Sequence, residues 1–205
     1  MAGLEDDGVL LRPLRYRDRA AWHRVREANT EWLRPWEATS PLPGPPLGFA
    51  EYVAQSRSLA RRGEALTYVI EVKGELVGQL SVSPIVLGSA RSGAIGYWVS
   101  RHVAGRGIAP TAVALATDHC FTHVRLHRVE VNIRPENAAS LRVVEKLGFR
   151  DEGLRRRYLH IDGEWRDHRT FALVAEEVPG GLLERWRRDR GRHAGDVPGS
   201  GPGRG

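Results

Sequence analysis

Two stretches of the chain hold residue types whose spacing could do chemistry. In the first, residues 97–111, Gly105 and Gly107 flank Arg106 ahead of an alanine-rich run that ends near Phe121. Glycine lets a backbone bend sharply and brings its N–H groups up to a ligand without a Cβ in the way. Ile108, Ala112, Leu115, Ala116, Cys120 and Val124 then recur at helical spacing, with Pro110 in the first turn, where proline is tolerated. Unpaired N–H groups and the positive end of the helix dipole converge on such a turn, and Arg101 and Arg106 add charge. The stretch therefore suits a phosphate or pyrophosphate. Two familiar phosphate loops do not fit: Gly107 is followed by Ile108 rather than Lys-Ser/Thr, and Pro110 stands where the dinucleotide fingerprint needs a third glycine. A bare Gly-x-Gly is also what an ordinary turn looks like.

The second stretch opens with Asn137-Ala138-Ala139-Ser140 and closes with Leu147-Gly148-Phe149. Together the two resemble the acyl-CoA-binding core of the GNAT superfamily of N-acetyltransferases. That family has Gln/Arg-x-x-Gly-x-Gly/Ala at a strand-to-helix turn, and Asn-x-x-Ala/Ser opening a later helix that ends in Gly-Phe. The first pattern maps to Ala104, Gly105, Arg106, Gly107, Ile108 and Ala109, without the leading Gln or Arg, and the second matches in full. Trp32-Leu33-Arg34-Pro35-Trp36-Glu37 and Asp162-Gly163-Glu164-Trp165-Arg166-Asp167-His168 are similar to the branch that acetylates the N-terminal α-amine of ribosomal proteins. The resemblance covers about residues 9–175.

The resemblance implies acetyl-CoA as cosubstrate, held by the 104–109 turn, by the Asn137 amide and by backbone of Trp98 and Val99 freed where two strands splay apart. It also implies direct transfer of the acetyl group to an amine. Such transfer needs a neutral amine, a polarised carbonyl and a protonated or stabilised thiolate. Family members often draw the thiolate's proton from a tyrosine seven residues after the motif asparagine, and here that position is Val144. Ser140 is the remaining candidate for acid or polariser, and its hydroxyl could equally bond within the first helical turn; Asn137 could cap the helix, bind cofactor, or both. For the base, Glu37 in the aromatic loop comes before Glu130 on a strand, where a solvated role is the ordinary one.

Other polar groups carry less. His119, His123 and His127 lack the carboxylate of a His-Glu-x-x-His arrangement, so no metal is expected. Asp167 and His168 are adjacent on a strand and face opposite sides, which leaves structural or acceptor-lining roles. Arg142 and Lys146, one helical turn apart, either help hold phosphates or form a solvated basic face. The single cysteine, Cys120, falls on the apolar side of its helix and reads as packing in a reducing compartment.

At 205 residues and 41% hydrophobic content, one domain with a sizeable core is expected. No run of 18 uncharged apolar residues exists and residues 1–7 are acidic, so a cytoplasmic protein without membrane contact is expected. Of the formal charge of +6, five arginines less two aspartates in residues 186–205 supply +3, leaving the rest mildly basic. Residues 1–8 should be flexible. Residues 187–205, rich in Arg, Gly and Pro, should be disordered, touching RNA or, more commonly for such a tail, no partner.

Periodicity places strands at 9–15, 66–72, 75–83, 92–99 and 128–134, and the Asp162-Gly163 turn signal sets a final hairpin of 150–160 and 164–175. Helices fall at 17–29, 49–62, from 108, and after 137. The loop 32–46, with two tryptophans and five prolines, should lie over something. Strand 92–99, the glycine turn, its helix and strand 128–134 form a β-α-β unit with parallel strands and a right-handed crossover. The domain, residues 9–186, should thus be α/β (α+β): one GNAT-like domain with a mixed sheet of about six or seven strands splayed at the acyl-CoA site and flanked by helices. Its expected activity is acetylation of a protein N-terminus, with a ribosomal protein as the expected acceptor. Acetylation of a small or antibiotic amine and a non-catalytic acyl-CoA sensor are the alternatives. Monomer and homodimer both remain open.

Overall fold

The computed structural model describes residues 3–42, 44–45 and 47–195. Alternation along the 66–72 strand sets up two cores: Leu66, Tyr68 and Ile70 enter one, while Val69 faces the other. The chain runs β1 (Leu4–Asp6), β2 (Val9–Pro13), α1 (Arg19–Ala28), α2 (Thr30–Leu33), α3 (Phe49–Arg62), β3 (Leu66–Val72), β4 (Glu75–Val86), β5 (Ser92–Val99) and α4 (Ile108–His119). It continues β6 (Arg128–Ile133), α5 (Ala138–Lys146), β7 (Arg150–Ile161), β8 (Glu164–Val174) and α6 (Leu182–Gly195). Eight strands form one sheet in the order β1-β2-β3-β4-β5-β6-β8-β7. Among these described strands only β5 and β6 are parallel, as a β-α-β connection requires. The larger core holds the buried face of α4, from Ile108 to Cys120, against the sheet; α1 and α3 cover the other face through Val25, Phe49 and Val53. No helix among the described residues is long and apolar enough to cross a membrane.

Of the residues expected to be flexible, 4–6 form the eighth strand. Residues 4–6 pair antiparallel with β2, and Asp6 is buried, where Arg187 meets its carboxylate. Of the tail expected to be disordered from residue 187, α6 takes in residues as far as Gly195, and residues 196–205 lie outside the described chain. Composition hid the causes. Leu182 and Trp186 are buried, the Trp186 indole donates to Thr111 Oγ1 at 3.0 Å, and Arg190 pairs with Asp7 at 2.8 Å. These partners lie far away in sequence.

Smaller differences are local. The first helix begins in a tighter turn at Tyr16–Asp18 before α1. Arg12 and the Arg15 amide bond the Asp18 carboxylate there; burial opposes its charge, but those hydrogen bonds outweigh it and hold Asp18 below the usual carboxylate range. A wider π-type turn, Cys120–Val124, ends α4. Burial pushes the Cys120 thiol up to about 12, which leaves it inert.

The start of α6 is capped from another helix: Asp118 Oδ1 and Oδ2 accept from the backbone N–H groups of Leu182 at 2.6 Å and Leu183 at 3.0 Å. Asp118→Ala should therefore lower unfolding stability by about 1 kcal/mol, a usual cap contribution. Urea denaturation checks this, and an unchanged midpoint would refute the capping role.

Candidate active site

Pairing between β5 and β6 covers Ser92 to Ile95 against Arg128 to Val131 and then stops. Beyond it, residues 96–99 and 132–133 diverge, opening the sheet at the end that leads into the glycine turn. On its other side β5 stays tight against β4. A Cβ added at Gly78 would lie 2.4 Å from the Trp98 carbonyl oxygen and 3.1 Å from Val99 Cα, so only glycine allows that approach.

The segment after β5 is tied down by Asn29, which is buried at the end of α1. Its Oδ1 accepts from the Arg101 amide at 2.9 Å, and its Nδ2 donates to Ser100 Oγ at 3.0 Å and to the Val25 carbonyl at 2.8 Å. The Trp32 indole donates to the Val99 carbonyl at 3.1 Å, so one backbone group freed by the splay already has a partner. Gly107, with φ of +83°, then turns the chain into α4, and its carbonyl accepts from Thr111. That left-handed conformation leaves the first amides of α4 pointing out of the helix end.

Two cavities meet at this opening. The smaller, about 380 Å³, runs along the glycine turn and the start of α5; Trp98, Val99, Ala104, Gly105, Gly107, Ile108, Ala109 and Asn137 line it. Arg106 is exposed at the turn and does not line it. Arg142 and Lys146 do, so the i,i+4 basic pair faces the channel. The larger cavity, about 640 Å³, lies between α1, the 33–38 segment, β5, β6 and the β7–β8 hairpin. Tyr97, Trp98, Asn137 and Ser140 border both.

At the junction, Asn137 Oδ1 accepts from the Ser140 amide at 3.1 Å. Asparagine is thus the helix cap, which leaves the Ser140 hydroxyl free of that duty. Tyr97 was not singled out by sequence reasoning. Its residue is half-buried but its hydroxyl oxygen is fully covered, approaches Ser140, and makes no hydrogen bond of ordinary geometry. An orphaned buried hydroxyl costs about 1–3 kcal/mol. Burial pushes the Tyr97 phenol up to about 12, with Ser140 pulling the other way.

The two proposed bases are separated. Glu37 lines the larger cavity, where Arg26 Nη2 donates to both of its oxygens at 2.5 Å and the Arg26 guanidinium lies 5.4 Å from the Trp98 ring centroid. Glu130 lines neither cavity; Arg128 and Arg155 each hold it at 2.9 Å. Its strand alternation is right, but it sits on the stretch of β6 still paired to β5.

Of the 32–46 stretch, which starts from α2, residues 38–39 meet the end of β7. Ala38 bridges to Ile161, and the Thr39 amide donates to the His160 carbonyl at 2.8 Å. Of the adjacent pair on β8, Asp167 turns away and accepts from the Arg157 amide at 2.7 Å, whereas His168 is buried and lines the larger cavity. A carbonyl only accepts, so the 3.1 Å contact to the Arg166 oxygen puts the hydrogen on His168 Nδ1. His119 and His123 stack at 4.8 Å between centroids. Among the described residues no three His, Cys, Asp or Glu side chains cluster as metal ligands.

A family model described as an acetyltransferase (GNAT) domain matches residues 9–150. The chain is 42% identical to Mycobacterium smegmatis RimJ, solved in complex with CoA-disulfide, with 93% of this chain and 94% of that one covered and a TM-score of 0.84. It is 29% identical over 169 residues to the ribosomal protein uS5-alanine N-acetyltransferase of Escherichia coli, covering 80% of this chain and 87% of that protein. Identity to the probable N-acetyltransferase YjcK of Bacillus subtilis is 38% over 99 residues, 48% of this chain and 55% of YjcK, so the match spans about half that relative's length.

Burial is the main influence on His168 and holds its imidazole below the ordinary value near 6.5, assisted by Arg134. His168 should stay neutral at a pH where a free imidazole is half protonated. As pH falls through that range the unfolded chain takes up a proton that the folded chain refuses, so stability falls until pH passes the folded value of His168 and the loss then remains. An NMR titration checks this; half-protonation of His168 at or above pH 6.5 would contradict it.

Proposed function

Since the chain belongs to the GNAT acetyltransferase domain family, we propose that it transfers the acetyl group of acetyl-CoA directly to the α-amine of a protein N-terminus, with ribosomal proteins as the favoured acceptors. The observation that carries this reading is the meeting of a phosphate-suited channel with a separate open cavity at Ser140. The complex of Mycobacterium smegmatis RimJ with CoA-disulfide supports CoA as the occupant of the channel, and the likeness to a ribosomal protein uS5-alanine N-acetyltransferase supports the acceptor class.

The amides at the start of α4 would take the pyrophosphate, and Arg142 and Lys146 supply positive charge along the same channel. Ala104 contributes backbone only. Bound acetyl-CoA supplies an activated thioester; the chain's residues move the protons. The amine's lone pair forms the C–N bond as the C–S bond breaks. Ser140 gives its proton to the departing sulfur and regains one from solvent, while Glu37 accepts the amine's proton directly or through water.

Charge argues against a polyamine acceptor. Among the described residues the larger cavity carries one carboxylate, Glu37, which Arg26 already pairs, together with Arg26 and Arg134. A polycation would meet more positive than negative charge there, whereas a peptide brings a single amine and backbone groups that Asn132 and His168 can meet.

Release of CoA thiol from acetyl-CoA tests the reading with three acceptors: a peptide with a free N-terminus, the same peptide N-blocked but carrying lysine, and small amines. Turnover is expected with the free N-terminus. Turnover with small amines alone would transfer the protein to the small-amine class, and acetyl-CoA binding without turnover would make it a sensor. Ser140→Ala should lower kcat about a hundredfold, the scale of lost acid catalysis, while acetyl-CoA affinity stays nearly unchanged. An unaltered kcat would remove Ser140 from the mechanism.

A further inference from the structure

Most polar side chains in the core have partners, and one buried group without them stands where the two cavities join: the Tyr97 hydroxyl. A buried hydroxyl left unbonded asks for an explanation, and a site that completes itself during function is one. Tyr97 belongs to β5, on the splayed stretch past the last β6 pairing, whereas Ser140 belongs to the first turn of α5 across the opening. Ser140's amide is satisfied by Asn137, so its hydroxyl is free to turn. Val144, one turn further along α5, is fully buried in the core and offers no donor.

We propose that Tyr97 is a positioning residue: its hydroxyl donates a hydrogen bond to Ser140 Oγ and so turns the serine's own hydrogen toward the departing sulfur. This rests on the transfer reading, with Ser140 as the proton donor. A serine hydroxyl has one hydrogen and rotates freely. A donor bonded to its oxygen leaves that hydrogen for the other side, where the thioester would enter between the strands. Tyr97 keeps its own proton throughout, because burial holds the phenol protonated at any pH that suits a neutral amine. The Tyr97 proton does not move, so the bond changes and proton balance of the transfer are unaltered.

Tyr97→Phe deletes the hydroxyl and keeps the ring. The expected result is a fall in kcat of about tenfold, the scale of one hydrogen bond, with the KM for acetyl-CoA within about twofold of wild type. In a Ser140→Ala background Tyr97→Phe should cost nothing further, while in Ser140→Thr, which retains a hydroxyl, the loss should persist. Wild-type kcat in Tyr97→Phe, or an equal loss in the Ser140→Ala background, would each overturn the inference while leaving the transfer reading in place. A wild-type chain that releases no CoA thiol with any amine would sink both together.

Discussion

The architecture of the site follows from one interruption, the end of the β5–β6 ladder after Ile95 and Val131. Backbone N–H and C=O groups inside a sheet must find partners, and a ladder that stops early leaves them to be met by side chains, solvent or a ligand. Trp32 takes the Val99 carbonyl, and Asn29 takes the Arg101 amide just beyond. Gly107 then redirects the chain so that α4 begins at the mouth of the opening. The channel, the junction and the larger cavity all border the gap left by a few hydrogen bonds that are not made.

One wall of the larger cavity is assembled by cations rather than by regular structure. Arg26 lies between the Glu37 carboxylate and the Trp98 ring, tying α1 to the loop and to β5 at once. Arg134, just past β6, donates to the Pro35 carbonyl at 2.7 Å and lies 5.5 Å from the Trp36 ring centroid. Each guanidinium presents its face to an aromatic ring and its edge to an oxygen, which a lysine could not do in one geometry. Pro35 has no backbone donor of its own, and these outside contacts fix the stretch from Pro35 to Glu37.

Much of this was legible in the sequence where the signal is local. The 49–62 helix and the 66–72 and 92–99 strands appear with the boundaries that periodicity gave them. The glycine turn and the Asn137 helix also fall where their motifs placed them. What was not legible depends on distant partners. Arginine-rich α6 reads as a solvated tail until Asp6, Asp7 and Asp118 come round to meet it. Alternation puts Glu130 and Asn132 on one face of β6 but does not say where along β6 its pairing with β5 ends, so it could not show that Asn132 lines the larger cavity and Glu130 does not. Tyr97 was hidden for a related reason: a tyrosine in a strand looks like core until the position of its hydroxyl is known.

Gly78 lies outside both cavities, yet it stands against the backbone of Trp98 and Val99 more closely than any side chain allows. A methyl group there has to displace the Trp98 carbonyl, and β5 can yield only toward the gap that faces β6. The width of the channel is therefore encoded on the far side of the strand that walls it. Two chains alike at every channel-lining residue but different at this one position would therefore have channels of different width.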